Sequence, residues 1–162
     1  MPAHYPAPIK DDVRDLLTDL LGRTILADKA ASVLVLEEDE PAVVAEYVTD
    51  DGSVGALCVV DAPFAARCGA ALSMVPSNVA DEAVEKGELP DMLLENWKEV
   101  ANIFAQLLNG PRTPHLRLQA IHQLPGEVPQ PVDALLRAPE FRRDFELRIE
   151  DYGKGRFSLL VA

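Results

Sequence analysis

The stretch ENWKEVAN, Glu95 to Asn102, decides how the rest of the chain is read. Its polar and apolar residues separate at helical spacing. Glu95, Glu99, Asn102 and Gln106 follow one another at steps of four, three and four, so on an α-helix their side chains fall within roughly 60° of one another. Leu93, Trp97, Val100, Ala101, Phe104 and Leu108 take the other side and form a stripe suited to a core. The predicted helix runs from about Pro90 to Leu108. Pro90 suits its first turn, Asp91 suits the positive end of its dipole, and Asn109, Gly110 and Pro111 stop it.

Upstream, residues 1–10 read as a loose arm, and Asp11 or Asp12 is expected to cap a helix with the stripe Val13, Leu16, Leu17, Leu20 and Leu21, ending at Gly22. Residues 23–27 and 32–36 read as short strands, and 37–40 as an acidic loop. Residues 42–49 and 53–60 form a hairpin around Asp51-Gly52, the strongest turn signal in the chain. Pro63 opens an alanine-rich helix to Leu72, and 79–86 form a shorter one. Downstream, a strand at 115–124 is followed by a Pro-rich connector with a short helix near 131–137, then a hairpin of 141–150 and 156–161 turning at Tyr152-Gly153. Strands arrive in hairpins with helices between them. The expected fold is a single α+β domain over 1–162, a mostly antiparallel sheet with helices on one face.

An offset of 84 residues places Asp11, Asp15, Thr18 and Pro41 on Glu95, Glu99, Asn102 and Pro125. Helix, strand and hairpin then recur in both halves, the second half needing an insertion before its hairpin. Duplication with pseudo-two-fold symmetry and chance alignment of one proline among 13 both remain open on this pattern. Under duplication the first copy carries Asp and Thr where the second carries Glu and Asn, and reads as degenerate.

Composition bounds the partners. The net charge of -12 disfavours nucleic acid and anionic membrane surfaces. No window of 18 apolar residues is available to span a membrane, and the first ten residues lack the apolar core of a secretory signal. Two cysteines, Cys58 and Cys68, are too few for a disulfide framework and are expected as half-buried thiols in a cytoplasmic protein. His115 and His122, seven apart in one predicted strand, point to opposite faces, so no metal site is expected.

The acidic helix with its distal proline, Glu95, Glu99, Asn102 and Pro125, resembles the signature of the CheC/CheX family of chemotaxis phosphatases, in which an acid, a Glu, an Asn and a Pro stand at these spacings. The resemblance implies an antiparallel sheet with helices on one side and a hydrolase acting on the aspartyl phosphate of a CheY-like response regulator. Carried over by position, Glu99 would dock the regulator and Asn102 would orient the attacking water, with Glu95 and Gln106 on the partner-binding face. It implies no cofactor on this chain, the Mg²⁺ being carried by the phosphorylated partner. The layout is closest to the single-site CheX type, which implies a homodimer. The strand Phe157 to Val161 points the same way, since its composition protects an exposed edge poorly. Three positions depart from the family pattern: Glu95 replaces Asp or Ser, and Ala101 and Gln106 replace glycines. Gln106 adds bulk on the face that must dock. A catalytically silent module that docks a receiver through the same helix is therefore the alternative, and an unrelated α+β interaction domain the third.

The chemistry asked of these residues is modest. An amide both donates and accepts hydrogen bonds, so it can hold a water in line with a phosphorus atom. An acyl phosphate is already reactive, and phosphoryl transfer responds mostly to positioning and electrostatics.

Overall fold

Two hairpins build the centre of the sheet. β2 (Ala42–Val48) turns through Asp51-Gly52 into β3 (Val54–Asp61), and β5 (Phe141–Ile149) turns into β6 (Gly153–Val161). Gly52 and Gly153 take positive φ values of 86° and 116°, which explains glycine at both turns. The computed structural model describes residues 8–29, 41–111 and 113–162. β1 (Ile25–Lys29) and β4 (Arg117–Leu124) complete six strands in the order β1-β5-β6-β3-β2-β4, every neighbouring pair antiparallel. The expected strand at 32–36, the acidic loop at 37–40 and residues 1–7 of the expected arm lie outside the described residues.

The strand order carries the symmetry suggested by the 84-residue offset. Exchanging β1, β2 and β3 with β4, β5 and β6 turns the order into its own reverse. A pseudo-two-fold axis therefore passes between β3 and β6. The insertion in the second half is α5 (Gln130–Arg137), between β4 and β5.

α1 (Lys10–Leu21) begins inside the expected arm. Asp12 is not its cap: Ile9 holds that position, and the Asp12 carboxylate reaches back one turn to accept from the Ile9 amide at 3.1 Å. Gly22, at φ 64°, closes the helix with its amide on the Thr18 carbonyl. α2 (Ala62–Leu72) follows β3 directly, Asp61 capping it by accepting from the Phe64 amide at 2.9 Å. α3 (Ser77–Lys86) leads to α4 (Asp91–Phe104), which tightens into a 3₁₀ turn over Ala105–Leu108. Pro90 is the residue just before α4 rather than part of its first turn.

One sheet face, with Val43, Ala45, Tyr47, Cys58 and Phe157, packs beneath α1, α2 and α4 in the main core. Phe104 of α4 meets Phe157 at 5.1 Å between ring centroids, and Trp97 meets Phe64 of α2 edge-on at 5.9 Å. Aromatic burial of this kind stabilises by about 3–5 kcal/mol per side chain against alanine. The short α5 departs from the one-sided layout: its Val132 and Leu135 cover the opposite face at Val44, Leu57, Val59 and Leu160. Strands between two covers are buried on both faces, and β2 and most of β6 read as near-continuous apolar runs for that reason.

Three sequence expectations change here. The Phe157–Val161 segment is no edge: β6 pairs with β5 on one side and β3 on the other. Its apolar composition reflects a central position, so the edge argument for dimerisation falls. His115 lies outside β4 and is exposed, while His122 in β4 places Nε2 2.8 Å from Oε1 of Glu46. Cys58 and Cys68 are fully buried rather than half-buried, and burial holds both thiols up in their protonated form.

Candidate active site

The site is one face of α4, and its position is set from behind. The buried side of the helix consists of Leu93, Trp97, Val100, Ala101 and Phe104. Near its start α4 presses against α2. A Cβ added at Gly69 would lie 2.4 Å from the Leu93 carbonyl oxygen, so this crossing requires glycine. The Asn96 amide stitches the same crossing, donating to the Gly69 carbonyl at 2.9 Å and to Ser73 Oγ at 2.8 Å. At the far end Asn109 bridges to the chain entering β4. Its Nδ2 donates to the carbonyls of Ala105 and Leu116 at 3.0 Å each, and its Oδ1 accepts from the Leu116 amide at 2.7 Å. In the middle, Tyr47 Oη donates to the Ala101 carbonyl at 2.5 Å. The helix is held at both ends and once in between.

With that side fixed, Glu95, Glu99, Asn102 and Gln106 are all exposed on the opposite side, as their spacing predicts. Among the described residues no hydrogen bond or ion pair engages the side chains of Glu95, Glu99 or Asn102. The Gln106 amide instead folds back onto the Ile103 carbonyl at 3.0 Å. Met92, 49% exposed, shares the face, since seven residues bring it within roughly 20° of Glu99. Pro125 is not part of this group. Leu118 pairs with Tyr47, and Pro125 follows the far end of β4, roughly 20 Å away along the strand.

The symmetry-related helix α1 provides an internal comparison. Its polar residues at the matching positions are Asp11, Asp15 and Thr18. Arg14 engages both carboxylates, at 3.2 Å to Asp11 and 3.1 Å to Asp15, and the Thr18 hydroxyl donates to the Arg14 carbonyl at 2.8 Å. The polar groups of one copy are tied within their own helix, and the matching acids and amide of the other are not.

Sequence reasoning found the exposed face and missed what supports it. Tyr47 reaches α4, Asn96 ties α4 to α2, and Asn109 ties its end to the chain entering β4, mostly through backbone carbonyls, a type of contact that no side-chain pattern announces. Among the described residues no three His, Cys, Asp or Glu side chains gather as metal ligands. No helix there is long and apolar enough to cross a membrane.

Comparison with solved structures agrees with this topology. A chain of the FliM–SpeE complex from H. pylori matches with TM-score 0.60 and 9% identity, over 94% of this chain and 80% of that one. A chain of the CheX–CheY–BeF3–Mg²⁺ complex from Borrelia burgdorferi matches with TM-score 0.52 and 12% identity, over 91% and 90%. The chain has a CheX-like fold. FliY from Thermotoga maritima shares it, with TM-score 0.52 and 18% identity, over 94% of this chain and 89% of that one. At such identities the CheX-like architecture is what is shared, and roles for individual residues rest on the geometry of α4. No family model and no curated protein matches the chain.

Proposed function

We propose that this CheX-like domain docks a phosphorylated CheY-like receiver on the exposed face of α4 and hydrolyses its aspartyl phosphate. The observation that carries the reading is the contrast between the two equivalent helices: Asn102 and Glu99 are exposed and unengaged, whereas Asp15 and Thr18 are tied down by Arg14 or its carbonyl. The fold likeness supports it, since one solved neighbour is a CheX–CheY complex.

In this mechanism Glu99 accepts a cation of the receiver, such as a lysine ammonium, in a charge-assisted contact. Glu95 extends the acidic docking surface. Asn102 enters the receiver's site and aligns a water with the phosphorus through its amide. The water oxygen forms the new P–O bond, the bond to the aspartyl oxygen breaks, the carboxylate leaves with the electron pair, and inorganic phosphate retains the water's protons. The Mg²⁺ that such a reaction uses belongs to the partner. A receiver partner would place the chain in the cytoplasm. The homodimer that the CheX resemblance implies has β1 and β4, the sheet edges among the described strands, as candidate pairing strands.

A second reading keeps the docking and drops the chemistry. It is favoured by Gln106, whose side chain stands exposed on the docking face and is held there by its bond to Ile103. One experiment separates the two: phosphate release from a panel of phosphorylated receivers, with wild type and Asn102→Ala side by side. The phosphatase reading expects acceleration by wild type and a loss on the order of 10²-fold in the variant. Equal rates at the receivers' intrinsic decay leave the silent docking module.

A further inference from the structure

We propose that Tyr47 is a positioning residue for Asn102, its hydroxyl fixing the backbone of α4 at Ala101 and thereby the direction in which the next residue presents its amide. The functional half of this inference rests on the phosphatase reading; the structural half does not.

Three observations converge on the tyrosine. First, it is fully buried, and its hydroxyl is 2.5 Å from the Ala101 carbonyl, in the last turn of a helix 54 residues away in sequence. The Ala105 amide, which would ordinarily serve that carbonyl, turns to Asn102 and Ile103, so the tyrosine hydroxyl supplies the donor that the helix end lacks. Second, α4 changes character just beyond this point. The Ala105 amide turns to the carbonyls of Asn102 and Ile103, and the chain continues as a 3₁₀ turn. The 3₁₀ turn closes the end of α4, and Asn102 lies between the tyrosine's anchor and that turn. Third, β2 is irregular on both sides at this residue. Its register with β4 shifts between Glu46 and Tyr47, and its register with β3 shifts between Tyr47 and Val48. Bulges re-aim side chains and recur beside functional sites. Here the two shifts bracket Tyr47, whose hydroxyl reaches α4.

Burial also holds the Tyr47 phenol far above its ordinary value, so it remains a neutral donor at any working pH. The anchor therefore does not titrate. A residue that orients water tolerates little displacement, about 1 Å being enough to cost up to 10²-fold. Removing the hydroxyl frees the Ala101 carbonyl and with it the backbone beneath Asn102.

Tyr47→Phe keeps the ring and its packing and deletes only the donor. With the full chain and phosphorylated receiver at varied concentration, kcat should fall on the order of tenfold while KM changes by less than about twofold, because Glu95 and Glu99 are untouched. In an Asn102→Ala background the same substitution should change kcat little, since the group being positioned is gone. Additive losses, or a KM effect alone, would overturn the inference. Hydrogen exchange supplies a readout independent of activity. Amides of residues 101–108 should exchange roughly tenfold faster in Tyr47→Phe, with those of α1 unchanged. Unchanged exchange at 101–108 refutes the anchor. Faster exchange there in a protein that accelerates no receiver's dephosphorylation refutes the phosphatase reading and leaves the anchor as one that orders the docking face.

Discussion

Gly69→Ala tests whether the docking face is set by the α2–α4 crossing. The added Cβ would sit 2.4 Å from the Leu93 carbonyl oxygen and 3.2 Å from both the carbonyl carbon and Cα of that residue. These are backbone atoms of α4, so no side chain can swing aside. Restoring an ordinary contact requires the two helices to separate by roughly 1 Å, and overpacking of this kind costs about 1–3 kcal/mol. Retreat of α4 also stretches the Asn96 bonds to the Gly69 carbonyl and Ser73 Oγ, now 2.9 and 2.8 Å. Against this stands the better helix propensity of alanine, worth up to ~1 kcal/mol. The net expectation is a loss of about 1–2 kcal/mol, which lowers the thermal midpoint of a chain this size by roughly 2–8 °C. Urea and thermal unfolding of both proteins measure it. A variant as stable as wild type, or more stable, would show that propensity outweighs the clash and would refute the claim that this crossing requires glycine.

Three further outcomes follow from the same geometry. Glu99→Ala should weaken capture of a phosphorylated receiver, and the difference from wild type should shrink as salt is raised, because the carboxylate is exposed; a salt-independent difference in affinity would argue against a charge contact. Gln106→Gly should lower helix stability by up to ~1 kcal/mol yet strengthen receiver binding, as read by titration calorimetry; weaker binding would mean that the glutamine contributes to docking instead of obstructing it. In the β2–β3 turn the Thr49 hydroxyl, then the Ser53 amide, donate to Asp51 and hold its carboxyl down to about 2. A depressed folded value stabilises above the ordinary carboxylate range and is lost as pH falls through the folded value, so wild type should lose stability relative to Asp51→Asn between about pH 4 and pH 2; a flat difference curve across that window would sink the assignment.

The parts legible in sequence were those with local signatures. The α4 stripe, the Asp51-Gly52 turn and the alanine-rich α2 each announce themselves within a dozen residues, and each is where the pattern placed it. Strand order was not legible. Phe157–Val161 is apolar because both faces of β6 are covered, yet the same composition suits an unprotected edge, and only the pairing with β3 and β5 distinguishes them. α5 has an amphipathic pattern that does not say which sheet face it meets. For the candidate site, periodicity placed Glu95, Glu99, Asn102 and Gln106 on one exposed face, while the supports from Tyr47, Asn96 and Asn109 run to carbonyls and stayed invisible. Pro125 aligned by spacing but lies at the other end of β4.

The pseudo-two-fold arrangement sharpens what distinguishes the two helices. Exchange of the halves carries α4 onto α1 and β2 onto β5. On the helix-covered face β5 buries Phe145, Leu147 and Ile149, none of which carries a hydroxyl. β5 in the second half, the strand equivalent to β2, thus offers no buried tyrosine toward α1. β2 in the first half has one, aimed across at the carbonyl beside Asn102 on α4 of the second half. A duplicated scaffold alone would supply neither asymmetry. Free polar side chains on a helix are common and cheap to maintain, whereas a buried hydroxyl requires a partner inside the core or costs about 1–3 kcal/mol. The two features come from different halves and meet at Ala101, and this asymmetry supports the proposed role of the α4 face.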